Sequence, residues 1–363
     1  MRKAIRLAEK GSGWVDPNPM VGALLFHDGR IIAEGFHHRF GASHAEADLF
    51  SQAGTFPADA ILFINLEPCN HQGKTPPCAP LIVEKGIRKV IIGMPDPDPR
   101  VNGNGIAYLR QHGVEVEVGI LEKECRTLNE VFIKYITTGL PFVILKWAMT
   151  LDGKIATVSN ASRWITGDKA RKEVHRLRQQ HSAVMVGVNT IITDDPLLNT
   201  RLKINAVKHP LKIIADTNCR IPVDSKVLTN DPQRTILAVS EMADKEKVKT
   251  VERMGAQVLI CPVKDRGIDL SYLMQSVAVM GIDSVMIEGG STFAFSALKE
   301  GIVDKVIGFV APKILGGTAA PAPVGGTGIP DLDDAIKVSD WKYRKIGDDL
   351  MIEGYTGRGK SEE

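Results

Sequence analysis

Apolar and polar positions follow strand-like and helix-like periods in turn along the first part of the chain. Short apolar runs bounded by turn residues predict strands over 21–26, 30–33, 60–65, 88–93 and 114–118. Longer amphipathic segments predict helices over 1–11, 44–53, 78–85, 105–112 and 121–138. Gly139 and Pro141 stop the last of these helices, so we place a domain boundary near residue 140.

The same alternation continues beyond that boundary. Strands are predicted over 141–148, 183–188, 211–215, 235–239, 257–260, 284–288 and 305–310. A helix is predicted over 168–181, with Thr166 as a possible cap, and other helices intervene between the strands. Strands that alternate with helices indicate a second α/β domain, so the predicted domains are 1–140 and 141–363.

Composition narrows the class of protein. The 363 residues are 44% hydrophobic and 24% charged, which is ordinary for a globular protein of two domains. A net charge of +2 argues against a dedicated nucleic-acid binder. The chain shows no signal peptide and no apolar run of membrane-spanning length, and its five cysteines form no disulfide framework. We therefore expect a cytoplasmic protein without a membrane partner.

Four residues carry the candidate chemistry. His44 is followed two residues later by Glu46, and Cys69 stands after a proline, with Cys78 further along. One imidazole and two thiolates can bind one zinc ion per chain and leave a fourth position open for water. Zinc lowers the pKa of bound water to roughly 7, and Glu46 is free to shuttle protons. This pattern is the signature of zinc-dependent nucleobase deaminases.

Three alternatives remain open at this stage. His71 lies between the cysteines and could close the site as a fourth ligand, and the cysteines are further apart than in the commonest C-x2-C pattern. A deaminase acting on nucleic acid would need a basic, aromatic-lined groove, but only 6% of the residues are aromatic. A zinc-stabilised binding module without catalysis would not need Glu46.

Longer motifs occur in both halves of the chain. They are LEPCNHQGKTPPC at 66–78, NPMVGA at 18–23, KWAMTLDGKIAT at 146–157, SRWITG at 162–167, VGVNT at 186–190, DDPL at 194–197, EGGS at 288–291 and APKILGG at 311–317. In this order they resemble the family of bifunctional riboflavin-biosynthesis deaminase–reductases.

The resemblance implies a fold and two activities. A cytidine-deaminase-like N-terminal domain would precede a dihydrofolate-reductase-like C-terminal domain. The first would hydrolyse the 2-amino group of 2,5-diamino-6-ribosylamino-4(3H)-pyrimidinone 5′-phosphate. The second would use NADPH to reduce the ribosyl group, giving 5-amino-6-ribitylaminouracil 5′-phosphate. The implied partner is this phosphorylated pyrimidine rather than nucleic acid, and a homo-oligomer is expected.

The resemblance also assigns residues. It makes His44, Cys69 and Cys78 the zinc ligands and Glu46 the proton shuttle. Facing the deaminase substrate it places Asn18, His37, Lys74 and Asp96. Where the family often has asparagine this chain has Asp98, and an ionised acid cannot donate a side-chain hydrogen bond.

In the second half, the resemblance places Lys146 close to the reaction centre. Against the cofactor it places Ala148, Trp164, Thr190, Asp194, Thr217, Gly290, Ser291, Thr292, Phe293, Ala294, Phe295 and Ser296. Around the phosphorylated sugar it places Ser162, Arg178, Leu197, Leu198, Arg201 and Glu288.

Local chemistry agrees with part of that assignment. Gly289 and Gly290 form a predicted turn between a strand and a helix that begins at Ser291, and such a turn can bind a pyrophosphate. A simple packing turn is the alternative. No G-x-G-x-x-G follows a strand, so a Rossmann domain is not expected. Basic residues between 163 and 178 are mostly typical of a solvated helix face, with one or two as candidate phosphate ligands.

Overall fold

The computed structural model describes residues 1–52, 55–71, 76–265 and 267–357. The chain divides into two compact units, Met1–Leu140 and Pro141–Glu363. Each unit has its own sheet and its own hydrophobic core. None of the helices in the described ranges is both long enough and apolar enough to cross a membrane.

The first unit is built on a mixed sheet. Its strands are β1 (Gly22–His27), β2 (Arg30–Phe36), β3 (Ile61–Leu66), β4 (Lys89–Met94) and β5 (Glu115–Val118). Within the described residues their order is β2-β1-β3-β4-β5. β1 pairs antiparallel with β2 and β3, whereas β3, β4 and β5 run parallel. The carboxyl ends of β3 and β4 therefore lie at the same edge of the sheet.

Six helices accompany this sheet in the described part of the unit. They are α1 (Arg2–Ala8), α2 (Ala45–Phe50), α3 (Cys78–Glu84), α4 (Asn104–Gln111), α5 (Glu122–Leu128) and α6 (Glu130–Thr138). The core between sheet and helices includes Leu25, Leu49, Leu62, Ile82 and Ile92, all of which are fully buried.

One predicted helix is wrong. A single helix was expected over 121–138, but it is divided at Asn129 into α5 and α6. The Asn129 side chain is buried and pairs with the backbone of Met20, accepting from its N–H at 2.8 Å and donating to its carbonyl at 3.1 Å. This tertiary contact fixes Asn129 outside helical geometry, with φ −102° and ψ 22°.

The second unit has a larger sheet. The strands of this unit are β6 (Phe142–Thr150), β7 (Ala183–Gly187), β8 (Leu211–Ala215), β9 (Thr235–Val239), β10 (Gln257–Ile260), β11 (Val263–Lys264), β12 (Gly267–Ile268), β13 (Ser284–Gly289), β14 (Lys305–Ala311), β15 (Val338–Ile346) and β16 (Asp349–Thr356). β11 and β12 form a two-stranded sheet of their own. In the described ranges the main sheet has the order β10-β9-β8-β7-β13-β6-β14-β16-β15. All pairs from β10 to β14 are parallel, and β16 and β15 add an antiparallel edge.

Helices cover this sheet. They are α7 (Asp168–Gln180), α8 (Val188–Asp194), α9 (Lys226–Thr229), α10 (Lys245–Arg253), α11 (Leu270–Val279) and α12 (Ser291–Lys299). Thr166 does not cap α7, since Gly167 is the N-cap and no side chain caps it. Val188, predicted at the end of a strand, begins α8 instead. The core combines residues of the parallel strands with residues of α11 and α12. The buried runs of the strands have the continuous apolar character of a sheet covered on both faces.

Two candidate active sites

Three elements bring the candidate metal ligands together. His44 is the N-cap of α2, Cys69 follows β3, and Cys78 is the first residue of α3. His44 Nδ1 lies 3.6 Å from Cys69 Sγ and 3.4 Å from Cys78 Sγ. All three ligand atoms lie within 4.8 Å of one another, a spacing at which one ion can contact all of them.

Close packing sets the position of His44. A side chain at Gly35 of β2 would meet the Ala45 carbonyl at 2.4 Å and the Leu49 backbone nitrogen at 2.5 Å. Only glycine therefore allows α2 to lie this close to β2. The first turn of α2 is thereby held against the sheet, and His44 with it.

The two thiols are arranged for metal binding. The Cys78 backbone N–H donates to Cys69 Sγ at 3.4 Å. The pKa of Cys69 is lowered, first by its hydrogen bond with the Cys78 thiol and also by its hydrogen bond with His44. A metal binds the thiolate form, so this environment favours the ligand state of Cys69.

Glu46 lies beside this group without belonging to it. Its side chain is in the first turn of α2 and the residue is 3% exposed. Burial raises the pKa of Glu46 to about 7, and the negative charge of Cys69 acts in the same direction. A carboxyl group that titrates near neutrality can both accept and donate a proton during turnover.

A cavity of about 340 Å³ adjoins these residues in the first unit. Of the predicted substrate residues, Asn18, His37 and Asp96 line it, and Lys74 lies outside the described residues. The sequence left the roles of His71 and Asp98 open, and both line the cavity. Further lining residues that were not identified from the sequence include Phe40, Glu67, Arg100, Val101 and Phe132.

The side chains of Asn18 and His37 form a hydrogen-bonded pair in the cavity wall. His37 Nδ1 lies 2.9 Å from the Ser43 carbonyl oxygen and His37 Nε2 lies 3.3 Å from Asn18 Nδ2. Burial lowers the pKa of His37, so the ring is neutral and donates to Ser43 while it accepts from Asn18. The Asn18 amide is thereby fixed with its nitrogen toward His37.

Buried asparagines hold the segment that carries Asn18. Asn65, at the end of β3, accepts from the Gly22 N–H at 2.8 Å and donates to the Met20 carbonyl at 3.0 Å. Asn129 donates to the same Met20 carbonyl and also accepts from the Met20 N–H. These contacts join positions far apart in the sequence, and no local pattern reveals them.

Glu67 organises the loop that follows β4. Its carboxylate accepts from the backbone N–H groups of Asp96 at 3.1 Å, Gly103 at 3.0 Å, Gly105 at 2.9 Å and Ile106 at 3.1 Å. The loop therefore has a fixed conformation beside Cys69. Burial raises the pKa of Asp96, which this loop presents to the cavity, to about 7.

A second cavity, of about 1080 Å³, lies in the second unit. The predicted residues that line it are Lys146, Ala148, Ser162, Trp164, Arg178, Thr190, Asp194, Arg201, Glu288, Gly290, Ser291 and Ala294. The predicted residues that are not among its lining are Leu197, Leu198, Thr217, Thr292, Phe293, Phe295 and Ser296. Most of the residues that the resemblance assigned to the reductase site therefore line one cavity. Of the 290–296 run, only Gly290, Ser291 and Ala294 are among the lining residues.

Lys146, Arg178 and Glu288 form a buried ionic cluster in this cavity. Glu288 Oε2 lies 3.2 Å from Lys146 Nζ and accepts from Arg178 Nη2 at 2.9 Å. Burial alone would raise the pKa of Glu288, but Arg178 and Lys146 together lower it to about 2. Glu288 is therefore ionised at neutral pH and forms ion pairs with Arg178 and Lys146.

The glycine turn takes the predicted form. β13 ends at Gly289, Gly290 has φ +87°, and α12 begins at Ser291. A side chain at Gly290 would meet Phe293 Cβ at 3.1 Å. The positive φ favours glycine, and the contact with Phe293 leaves little room for a side chain. Gly290 and Ser291 both line the cavity, so the start of α12 lies at its surface.

Two sequence motifs, KWAMTLDGKIAT at 146–157 and APKILGG at 311–317, meet beside this cavity. Asp152 accepts from Gly316 N–H at 2.6 Å and from Leu315 N–H at 3.2 Å, which ties TLDGK to the KILGG loop. Lys313 of that loop donates to the Trp164 carbonyl at 2.8 Å. The Arg171 guanidinium stacks over the Trp164 ring at 4.5 Å.

A group of cations lines one end of the large cavity. It includes Lys172, Arg178, Arg201 and Lys203. Burial lowers the pKa of the adjacent His175 to about 4, and Arg178 and Arg201 add to the effect. His175 is therefore neutral at physiological pH, and it accepts the Arg201 backbone N–H at 3.3 Å. This end of the cavity suits an anionic group.

Comparison with known proteins assigns each unit to a class. Residues 1–94 match the family described as the cytidine and deoxycytidylate deaminase zinc-binding region, and residues 141–352 match the RibD C-terminal domain. Fold and sites thus define an α/β enzyme in which a zinc-binding deaminase domain precedes a dihydrofolate-reductase-like domain.

Full-length relatives identify the family. The chain is 45% identical to riboflavin biosynthesis protein RibD of Actinobacillus pleuropneumoniae, covering 97% of this chain and 93% of that protein. It is 33% identical to RibD of Escherichia coli, with 95% of each chain covered. The chain belongs to the RibD family of bifunctional deaminase–reductases in riboflavin biosynthesis.

Solved structures agree. Acinetobacter baumannii RibD superposes with a TM-score of 0.87 at 34% identity, covering 98% of this chain and 97% of that one. A diaminohydroxyphosphoribosylaminopyrimidine deaminase/5-amino-6-(5-phosphoribosylamino)uracil reductase from Thermotoga maritima gives 0.83 at 37% identity, with the same coverage. The predicted family, fold class and pair of activities are confirmed, and neither the nucleic-acid deaminase nor the non-catalytic zinc module is favoured.

Proposed function

We propose that this chain deaminates 2,5-diamino-6-ribosylamino-4(3H)-pyrimidinone 5′-phosphate and then reduces the ribosyl group of the product with NADPH. The observation that carries the proposal is the His44–Cys69–Cys78 donor set with the buried, non-ligating Glu46 beside it. In the first step water is consumed, the carbon–nitrogen bond to the 2-amino group breaks, and ammonia leaves. In the second step C1 of the sugar would receive a hydride from NADPH, the bond between C1 and the ring oxygen breaks, and that oxygen takes up a proton.

The donor set fits a single zinc ion per chain. Two thiolates and one imidazole within 4.8 Å of one another match the ligands of a catalytic zinc site. When bound there, zinc would lower the pKa of water to roughly 7. His44, Cys69 and Cys78 would hold the ion, and we place no other described residue in the ligand set.

Glu46 moves the protons of the deamination. Its carboxylate takes a proton from the attacking water and delivers it to the departing amino group. Its burial at the base of the cavity keeps that proton from exchanging with bulk water. Asn18, fixed by His37, and Asp96, fixed by the Glu67 loop, orient the pyrimidine ring against Glu46.

The second cavity fits a dinucleotide and a phosphorylated sugar together. The open turn at Gly290 and the start of α12 suit the cofactor pyrophosphate, and the cations at the other end suit the sugar phosphate. Lys146, whose Nζ lies 3.2 Å from Glu288 Oε2, would supply the proton that the ring oxygen takes up. We infer that the protein works in the cytoplasm, where NADPH is available, and assembles as a homo-oligomer.

The order of the two steps provides the test. The zinc-loaded protein is incubated with the diaminopyrimidinone phosphate, and ammonia release, the pyrimidine ultraviolet spectrum and NADPH absorbance are followed together. We expect stoichiometric ammonia release, followed by NADPH oxidation that requires the deaminated product. Zinc-replete protein that releases no ammonia would contradict the proposal.

A further inference from the structure

The deaminase cavity has an unusual balance of charge. Four carboxyl groups line it, from Glu46, Glu67, Asp96 and Asp98. Among the described residues that line it, Arg100 is the only lysine or arginine. A substrate that carries a phosphate dianion needs a cation in such surroundings, because the carboxyl groups that are ionised would otherwise repel it.

Asp98 holds the Arg100 side chain in a defined orientation. Arg100 Nε lies 3.0 Å from both carboxylate oxygens of Asp98, and Nη2 also donates to Oδ2. The Arg100 backbone N–H adds a bond of 2.9 Å to Oδ1. Asp98 is 5% exposed, so its carboxylate is a buried anchor and not a mobile surface group.

Hydrogen bonds connect Asp98 to the segment that carries the metal ligand Cys69. The Asp98 N–H donates to Asp96 Oδ1 at 2.9 Å, and the Asp96 N–H donates to Glu67 Oε2 at 3.1 Å. Glu67 is separated from Cys69 by a single proline in the sequence. Hydrogen bonds therefore connect the guanidinium to the loop that carries a metal ligand, and its position relative to that loop is set before substrate binds.

One nitrogen of the guanidinium is not used by Asp98. Asp98 engages Nε and Nη2, and no acceptor from the described residues bonds Nη1. The Arg100 side chain is 69% exposed, whereas Glu46 is 3% exposed. Arg100 thus lies at the open end of the cavity and Glu46 at its closed end.

We propose that Arg100 binds the 5′-phosphate of the deaminase substrate and that Asp98 is its positioning residue. The inference rests on the proposed function, since it takes the pyrimidine to be at Glu46 and the phosphate at the far end of the same molecule. A guanidinium that already shares one edge with a carboxylate can still offer the remaining N–H groups to phosphate oxygens. Asp98 therefore acts through Arg100 and makes no direct contact with substrate.

Selectivity between two substrates tests this assignment. We compare kcat/KM for deamination of the phosphorylated substrate and of its dephosphorylated form in wild type and Arg100→Gln. The ratio of the two values should fall about ten-fold to a hundred-fold in the variant, as expected for one lost charge-assisted contact. The change should lie mostly in KM, and Arg100→Lys should recover part of the ratio.

Arg126→Gln is the matched control. Arg126 is in the same unit, is 49% exposed and also pairs with a carboxylate, Glu122, but it does not line the cavity. Zinc content and reductase activity of each preparation report whether the chain is folded. An unchanged ratio in folded Arg100→Gln, or equal losses on both substrates, would overturn the inference.

Lys74 is the alternative residue for binding the 5′-phosphate. If Lys74→Gln abolishes the phosphate preference while Arg100→Gln keeps it, the phosphate belongs to Lys74 and the inference is wrong. Wild-type protein that deaminates both substrates equally well also overturns it, yet leaves the proposed function intact. Wild type that deaminates neither substrate defeats the proposed function itself.

A binding measurement gives a readout that does not depend on turnover of the phosphorylated substrate. Ribose 5-phosphate should competitively inhibit deamination of the dephosphorylated substrate in wild type. The inhibition constant should rise about ten-fold or more in Arg100→Gln and stay the same in Arg126→Gln. An identical inhibition constant in wild type and Arg100→Gln overturns the inference.

Discussion

Glu288 accepts a hydrogen bond from Arg178 Nη2 at 2.9 Å, although 110 positions separate the two residues in the chain. The contact joins the end of β13 to the last turn of α7. Lys146 of β6 completes the cluster. Three elements of the second unit thus meet on one buried carboxylate at the floor of the larger cavity.

Glu288→Gln should destabilise the second unit by about 3 kcal/mol, because two buried cations would lose their anion. The effect should depend on pH with a defined sign. The pKa of Glu288 is about 2 in the folded chain, below its ordinary value, so its contribution is present above pH ~4.5 and is lost as the pH falls toward 2. Denaturant unfolding at pH 7, 5 and 3 measures both effects.

Tryptophan fluorescence suits that experiment, since Trp147, Trp164 and Trp341 are three of the four tryptophans and all lie in the second unit. Stability of wild type should decline more steeply on acidification than that of Glu288→Gln. Parallel pH profiles in the two proteins would show that Glu288 is not an ionised anchor.

Glu46→Gln should retain zinc and lose deamination by about a hundred-fold or more, the usual contribution of a positioned acid–base group. Glutamine has nearly the same shape but cannot exchange a proton. The measurements are metal content and the rate of ammonia release. A zinc-replete variant with normal deamination would show that another group moves the proton.

His71→Ala should leave zinc at one ion per chain. His71 lines the cavity, but it does not belong to the group of ligand atoms that lie within 4.8 Å of one another in the described residues. Its Nδ1 is buried and has no hydrogen-bond partner in the described part of the chain. Cys78→Ala, which removes a ligand, is the comparison. Equal zinc loss in the two variants would instead support a closed, four-ligand site.

Local pattern predicted the elements that are strongly apolar or end at glycine. The strand at 211–215 has the bounds that the sequence indicates, and the order of strand, turn and helix around Gly290 is as predicted, although β13 extends to Gly289. Neither β15 nor β16 was predicted. The apolar run of β16 is only three residues long, from Leu350 to Ile352, and nearly all residues of β15 are exposed. Its pairing with β16 at the sheet edge is a tertiary contact.

The site residues also divide into those that the sequence reveals and those that only the fold reveals. His44, Glu46, Cys69 and Cys78 could be found because spacing along the chain encodes them. Asn65, Glu67 and Asn129 could not, since each acts by bonding backbone groups that are distant in sequence. A buried asparagine or glutamate in a sequence does not reveal which N–H it will satisfy, so the residues that fix the loops appear only in the folded chain.

Removal of zinc should separate the two activities. No described residue that lines the larger cavity belongs to the first unit, and His44, Cys69 and Cys78 all belong to it. Dipicolinate treatment should therefore stop ammonia release and leave NADPH-dependent reduction of the deaminated substrate within about two-fold of its starting rate, because the reductase residues include no zinc ligand. Readdition of zinc should restore deamination. Loss of both activities in a chain that remains folded would contradict two separate sites.

Arg201→Ala should weaken reduction of the phosphorylated substrate by about 2 kcal/mol in kcat/KM, the usual loss for a charge-assisted contact. Arg201 lines the larger cavity beside Arg178, and its backbone is held by neutral His175. A phosphate remote from the reacting carbon can fix the orientation of the sugar, so the variant should also lose its preference for phosphorylated over dephosphorylated substrate. Arg253→Ala is the control, since Arg253 is exposed on α10 and does not line the cavity. Deamination should stay the same in both variants, because neither residue belongs to the first unit. If Arg201→Ala keeps the full preference for the phosphate, the sugar phosphate binds elsewhere, and Arg178 or Lys203 becomes the residue to test next.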